Sequence, residues 1–117
     1  MRNFKKYDVS QLVHQFVLNI YEVTRSFSKE ERYGITSQLR RASVSVPTNF
    51  SEGCGRSSDV QFFRFIHIAQ GSGHESELLL ELSFDLKYIN LEVFEKLNTE
   101  INTIKRKMYS LEQKIKA

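Results

Sequence analysis

The 117 residues contain no tryptophan, one proline, one cysteine and five glycines. A lone cysteine excludes an internal disulfide, and a reducing cytoplasm is the expected setting. No apolar run approaches the ~20 residues that cross a bilayer, so no membrane span is expected. The basic start MRNFKKYDVSQ is followed by no apolar stretch, so no secretory leader is expected either. A net charge of +3 is too small to mark a nucleic-acid binder by itself. Hydrophobic residues at 40% and charged residues at 26% exclude a disordered chain. The scarcity of glycine and proline leaves long stretches free to form helix.

What is there is helical periodicity. Val9, Val13, Phe16, Ile20, Val23 and Phe27 step alternately by four and three. Ile35, Leu39, Ala42, Val46, Asn49 and Gly53 do the same, as do Phe94, Leu97, Ile101, Ile104, Met108, Leu111 and Ile115. Such stripes belong to helices packed at shallow angles. Asp8, Ser28 and Ser58 precede periodic runs and are followed three residues later by Gln11, Glu31 and Gln61, the spacing of a capping box. Asn90 can cap a last helix. The expectation is one domain over 1–117, all-α, an antiparallel up-and-down four-helix bundle with helices near 9–27, 29–53, 58–89 and 91–116. Pro47 falls within the second stripe, where it removes an amide donor and crowds the carbonyl of Ser43. A kink there is expected, with Ser43, Ser45 or Asn49 helping to satisfy the freed group.

Some residues do not fit a simple stripe. FFRFIHIA wraps apolar residues around nearly the whole third helix, and Val44 lies opposite the core stripe of the second. Spare apolar surface at Val44, Phe63 and Ile68 implies self-association. Gly53 or Gly55 is expected to supply a left-handed C-cap. Gly71 and Gly73, each costing about 1 kcal/mol in a helix interior, imply close approach by the small face of helix two (Ala42, Ser43, Ser45).

The chemistry-bearing candidates are weak. Cys54 has no neighbouring histidine to act as base, and EGCGRSS and QGSGHE lack the lysine, spacing and preceding strand of a phosphate loop. His74, Glu77 and Glu81 share a face in the reverse order of a di-iron motif, with no second copy. No catalytic residue, metal or cofactor is expected. Charge is unevenly spread: residues 101–117 carry Lys105, Arg106, Lys107, Lys114 and Lys116 against Glu112, whereas 75–95 carry six acids against Lys87.

YGITSQLRRASVSVPTNFSEGCGR, then FFRFIHIAQGS and HESEL, resembles the family of 23S rRNA intervening-sequence proteins. Tyr33–Gly34, Gln38–Ala42, Ser45–Arg56 and Ala69 to Glu75 or Glu77 follow its motifs in order, with valine and phenylalanine for two isoleucines. Ser28 stands where that family often has proline. The resemblance implies a four-helix bundle from bacteria, encoded in or descended from insertions in large-subunit ribosomal RNA genes, with no established role. The chain is also similar to the accessory protein of diversity-generating retroelements, which implies a homopentamer with a basic surface for RNA or DNA. The residues expected to meet phosphate are Arg40, Arg41 and Arg56, then Lys105, Arg106 and Lys107. Few aromatics look free to stack on bases, so backbone recognition is expected. The rival reading is a protein-binding scaffold whose arginines pair with Glu52, Glu31 or a neighbouring subunit.

Overall fold

A computed structural model describes residues 2–116; Met1 and Ala117 of the expected domain lie outside it. Four helices follow one another: α1 (Asp8–Thr24), α2 (Ile35–Cys54), α3 (Asp59–Asp85) and α4 (Leu91–Lys116), with short 3-10 turns at Phe4–Lys6 and Lys29–Glu31. Contacts join α1 to α2, α2 to α3, α3 to α4 and α4 back to α1, but neither diagonal pair, so the helices surround a shared core in chain order. Pairs across α3 and α4 descend on one helix as they ascend on the other: Gln70 with Glu112, Glu77 with Lys105, Phe84 with Phe94.

The predicted stripes form that core. Val13, Phe16, Ile20, Leu39, Val46, Leu97, Ile101, Ile104 and Met108 are fully or almost fully buried, joined by Phe50 and by Phe62, Ile66, Ala69 and Leu80 of α3. Residues 2–7 seal one end. The Arg2 amide donates to the Cys54 carbonyl (2.8 Å), its guanidinium lies 3.9 Å over the Phe62 ring, and Phe4 and Tyr7 pack their rings against Phe50.

The helix ends differ from the sequence reading in ways that have physical causes. Asp8 does not cap α1; it is the first helical residue, and its carboxylate accepts from Lys107 (2.7 Å), tying α1 to α4. That hydrogen bond holds the Asp8 carboxyl below its usual range. Ser28 caps only the short turn at Lys29–Glu31, and α2 begins later, at Ile35. Glu31 accepts from the Ile35 amide (3.2 Å) with one oxygen and from the Tyr88 hydroxyl (2.7 Å) with the other. A Cβ on Gly34 would press on this carboxylate, which would have to shift to make room. Ser58 and Asn90 cap α3 and α4 as expected, accepting from Gln61 (3.2 Å) and Val93 (2.8 Å).

α3 stops at Asp85 rather than near 89. Lys87 adopts φ 67°, its amide donates to the Phe84 carbonyl, and the Tyr88 amide reaches Ser83. These are the two bonds of a Schellman ending, with lysine at the position glycine usually takes. No described glycine has positive φ, so neither Gly53 nor Gly55 is a left-handed cap. Gly53 serves a close approach instead: a Cβ there would lie 2.8 Å from Phe65 Cβ and 3.3 Å from a Phe62 ring carbon. The approach expected at Gly71 and Gly73 from helix two is likewise corrected. A Cβ on Gly73 would meet the Lys105 stem (3.1 Å) and Ile101 of α4, while one on Gly71 would meet no other element within 4 Å. α2 continues through Pro47 as helix. Ser43, Thr48 and Asn49 side chains donate to the carbonyls of Arg40, Val44 and Ser45, on either side of the carbonyl that the proline leaves without its amide donor.

Candidate nucleic-acid interface

The end of α1, the 29–31 turn and the first turns of α2 enclose an open cleft of about 610 Å³. Five cations line it, Arg25, Lys29, Arg32, Arg40 and Arg41, and no carboxylate does. The local sequence explains the arrangement. α1 ends at Thr24, whose hydroxyl donates back to Ile20 (2.7 Å), and the chain crosses to α2 through a short stretch that brings Arg25, Lys29 and Arg32 to the cleft. Glu31, between Lys29 and Arg32 in the chain, is engaged by Ile35 and Tyr88.

Arg40 is fixed across the α1–α2 contact. Its Nε donates to Thr24 Oγ1 (2.8 Å), a terminal nitrogen donates to the Tyr21 carbonyl (3.4 Å), and the guanidinium lies 4.6 Å over the Tyr21 ring. Two of its five N–H groups are thereby used, which leaves donors for a ligand. Arg25 pairs with Glu22 (2.9 Å), but both side chains are 72% exposed and such a pair is weak. Lys29, Arg32 and Arg41 form no ion pair with any described residue. Thr36 Oγ1, in the cleft wall, is buried without a hydrogen-bond partner. Five like charges around one concavity repel each other and are relieved by a bound anion.

The six cations chosen from sequence do not form one site. Arg40 and Arg41 share the cleft. Arg56 lies past the far end of α2, more than ~20 Å away along the helix axis; it pairs with Glu52 (2.5 Å) and rests over the Phe65 ring. Lys105 is half-buried, bonded to Glu77 (2.7 Å) and near His74 Nδ1 (3.2 Å), so its charge is spent inside the bundle. The Glu77 carboxyl is held below its usual range, chiefly by that bond. Arg106 and Lys107 line a second cleft of about 690 Å³ between α1 and α4, together with Lys114, but Lys107 there meets Asp8. Sequence reasoning missed Arg25, Lys29 and Arg32. The dense RSFSKEER run held the signal, yet its two acids leave only one net positive charge on paper.

Val44 and Ile68 are exposed, and Phe63 is half-buried and stacked on the His67 ring. Ile68 shares the outer face of α3 with Val60, Gly71, Leu78 and Leu82, exposed and interleaved with Arg64, His67 and Glu75. Cys54 is buried, and burial pushes its thiol up to about 11 against a small opposing effect of Arg2. At neutral pH it is a protonated core residue, unlike a thiolate nucleophile. Among the described residues no group of three His, Cys, Asp or Glu side chains is placed to hold a metal, and no helix is long and apolar enough to cross a membrane.

The family model described as 23S rRNA-intervening sequence protein matches residues 5–110. The chain belongs to this family. Residues lining the cleft all fall within the matched region. A solved structure of a protein of unknown function from the S23 ribosomal protein family of Bacteroides thetaiotaomicron VPI-5482 superposes with a TM-score of 0.83 at 23% identity, covering 90% of this chain and 95% of that one. At that identity the likeness establishes the four-helix fold that this 23S rRNA-intervening sequence family member shares with it. No curated protein matches the sequence.

Proposed function

We propose that the protein is a non-enzymatic homo-oligomer, a pentamer by its resemblance to retroelement accessory proteins, that binds RNA or DNA through the phosphate backbone. The observation that carries this reading is the α1–α2 cleft, where five cations and no carboxylate line the wall and only Arg25 has an acid partner, the exposed Glu22. Arginine forks and lysine ammonium groups match phosphate oxygens and make no demand on base sequence. The exposed apolar side chains Val60, Ile68, Leu78 and Leu82 on α3, with Val44 on α2, support association into an oligomer. Repetition of the cleft around an oligomer multiplies a local patch that a subunit of net charge +3 presents only once.

A salt titration of binding to RNA and DNA of one length tests it. Affinity falls as salt rises, and Arg41→Ala or Arg32→Ala each lowers the slope of log K against log salt by about 1. Lys105→Ala leaves the slope unchanged, because that charge belongs to Glu77. Absence of binding at low salt overturns the proposal. Sedimentation tests assembly separately, and a monomer at micromolar concentration refutes the oligomer. Arg56–Glu52, Lys105–Glu77 and Lys107–Asp8 favour the second reading, a protein-binding scaffold, since three of the six selected cations already meet carboxylates of their own chain.

A further inference from the structure

Tyr33 is 88% exposed, more than any other large hydrophobic side chain described. Its position in the chain is nonetheless fixed. Amides of Glu31, Arg32 and Gly34 donate to the carbonyls of Ser28 (2.9 Å), Lys29 (3.1 Å) and Glu31 (2.9 Å). The Glu31 carboxylate then bridges Ile35 and Tyr88, so the backbone is pinned on both sides of the ring. A rigid backbone that holds an aromatic ring in water forgoes the stabilisation its burial would give, and nothing in the subunit repays that. The ring follows directly on Arg32, one of the cations of the cleft.

We infer that Tyr33 is a stacking platform for an unpaired base, and that the α1–α2 cleft therefore takes single-stranded nucleic acid in preference to duplex. The inference rests on the phosphate-binding reading above and adds the strandedness of the ligand. Bases within a duplex already stack on both faces, whereas those of a single strand have faces to offer, and any base serves. Arg32 and Arg41 hold the flanking phosphates while the ring takes the base. The proposal adds base stacking to the backbone recognition expected from the sequence, through a pinned, exposed ring that follows Arg32 in the chain and stands outside the lining of the cleft itself.

The test measures binding of the full chain at low salt to fluorescently labelled oligo(dT) and to a blunt-ended duplex of equal length. Tyr33→Leu is expected to weaken oligo(dT) binding by about 5- to 150-fold, the range of one lost base–aromatic stack. It leaves duplex affinity and the salt slope unchanged, because no charge is removed. Tyr33→Phe keeps the ring and restores oligo(dT) affinity to within about twofold of wild type. Circular dichroism confirms that the variants fold, as substitution of a side chain in open water permits. Unchanged oligo(dT) affinity in Tyr33→Leu, or an equal loss on duplex, overturns the inference while leaving phosphate binding intact. A wild-type protein that binds neither strand form overturns the phosphate reading beneath it.

Discussion

Gly53 and Gly71 lie in different helices, and the same change to alanine at each should act in opposite directions. At Gly53 the new methyl carbon would sit 2.8 Å from Phe65 Cβ, with Phe62 atoms at 3.3 and 3.4 Å. Comfortable carbon contacts are about 3.5–4.0 Å, so the site is short by about 1 Å. Phe65 Cβ is attached to its own backbone and cannot swing aside; α2 and α3 must separate, and theirs is the most extensive helix contact in the bundle. Overpacking of this kind costs about 1–3 kcal/mol. The helix-propensity gain of alanine over glycine is at most about 1 kcal/mol, and smaller here because Gly53 is in the last turn. A net loss of about 1 kcal/mol is expected. At Gly71 an added Cβ would meet no other part of the subunit within 4 Å, and the full gain of about 1 kcal/mol should appear. Urea unfolding followed by circular dichroism would separate the two variants by about 1 M in midpoint, given slopes of about 1–3 kcal/mol/M. Stabilisation of both variants would refute the argument for a tight α2–α3 contact. A destabilised Gly71→Ala whose deficit grows with protein concentration would place a second chain against α3.

Lys87→Gly should stabilise the protein by about 0.5–1 kcal/mol, since it relieves a left-handed lysine at some cost in unfolded-state entropy; an unchanged melting temperature would count against the Schellman assignment. Glu31 has its carboxyl lowered from an ordinary 4.5, first by the Tyr88 hydroxyl and then by the Ile35 amide. A group depressed in the folded state contributes stability that is present above its unfolded value and lost as pH falls through the lower folded value. The urea midpoint should therefore drop as pH falls through and below 4.5, and Glu31→Gln should flatten that limb; an acid limb of unchanged steepness would remove Glu31 from the account.

The core was legible because each stripe repeats with the helix and needs no knowledge of its partners: Val13, Phe16 and Ile20, or Ile101, Ile104 and Met108, are buried as spaced. Helix ends were less so. Asp8 and Glu31 have the composition of caps, but Lys107 and Tyr88, about a hundred and about sixty residues away, decide what each carboxylate does. Lys87 carries no local sign of a left-handed ending, because a Schellman motif with lysine is stabilised by the surrounding fold rather than by the residue. Gly73 was recognised as a close approach but assigned to the wrong neighbour, since a lysine stem fills space as well as a backbone does. Two of the five cations of the candidate site, Arg40 and Arg41, were visible in the sequence. The remainder was hidden because Arg25, Lys29 and Arg32 stand close to acids in the chain, and only in three dimensions do Lys29 and Arg32 part from theirs while Arg25 keeps Glu22.

The covered cysteine sets how this bundle meets oxidants. Cys54 is protonated and sealed beneath the strap of residues 2–7, so peroxide has no thiolate to attack while the chain is closed. Oxidation is then a record of opening: a chain that exposes Cys54 long enough to gain oxygen atoms carries a larger polar group into a site packed for a small apolar one, and cannot close again. In a population exposed to peroxide, sulfinic or sulfonic acid at Cys54 would mark the molecules that have opened and spare those that stayed closed.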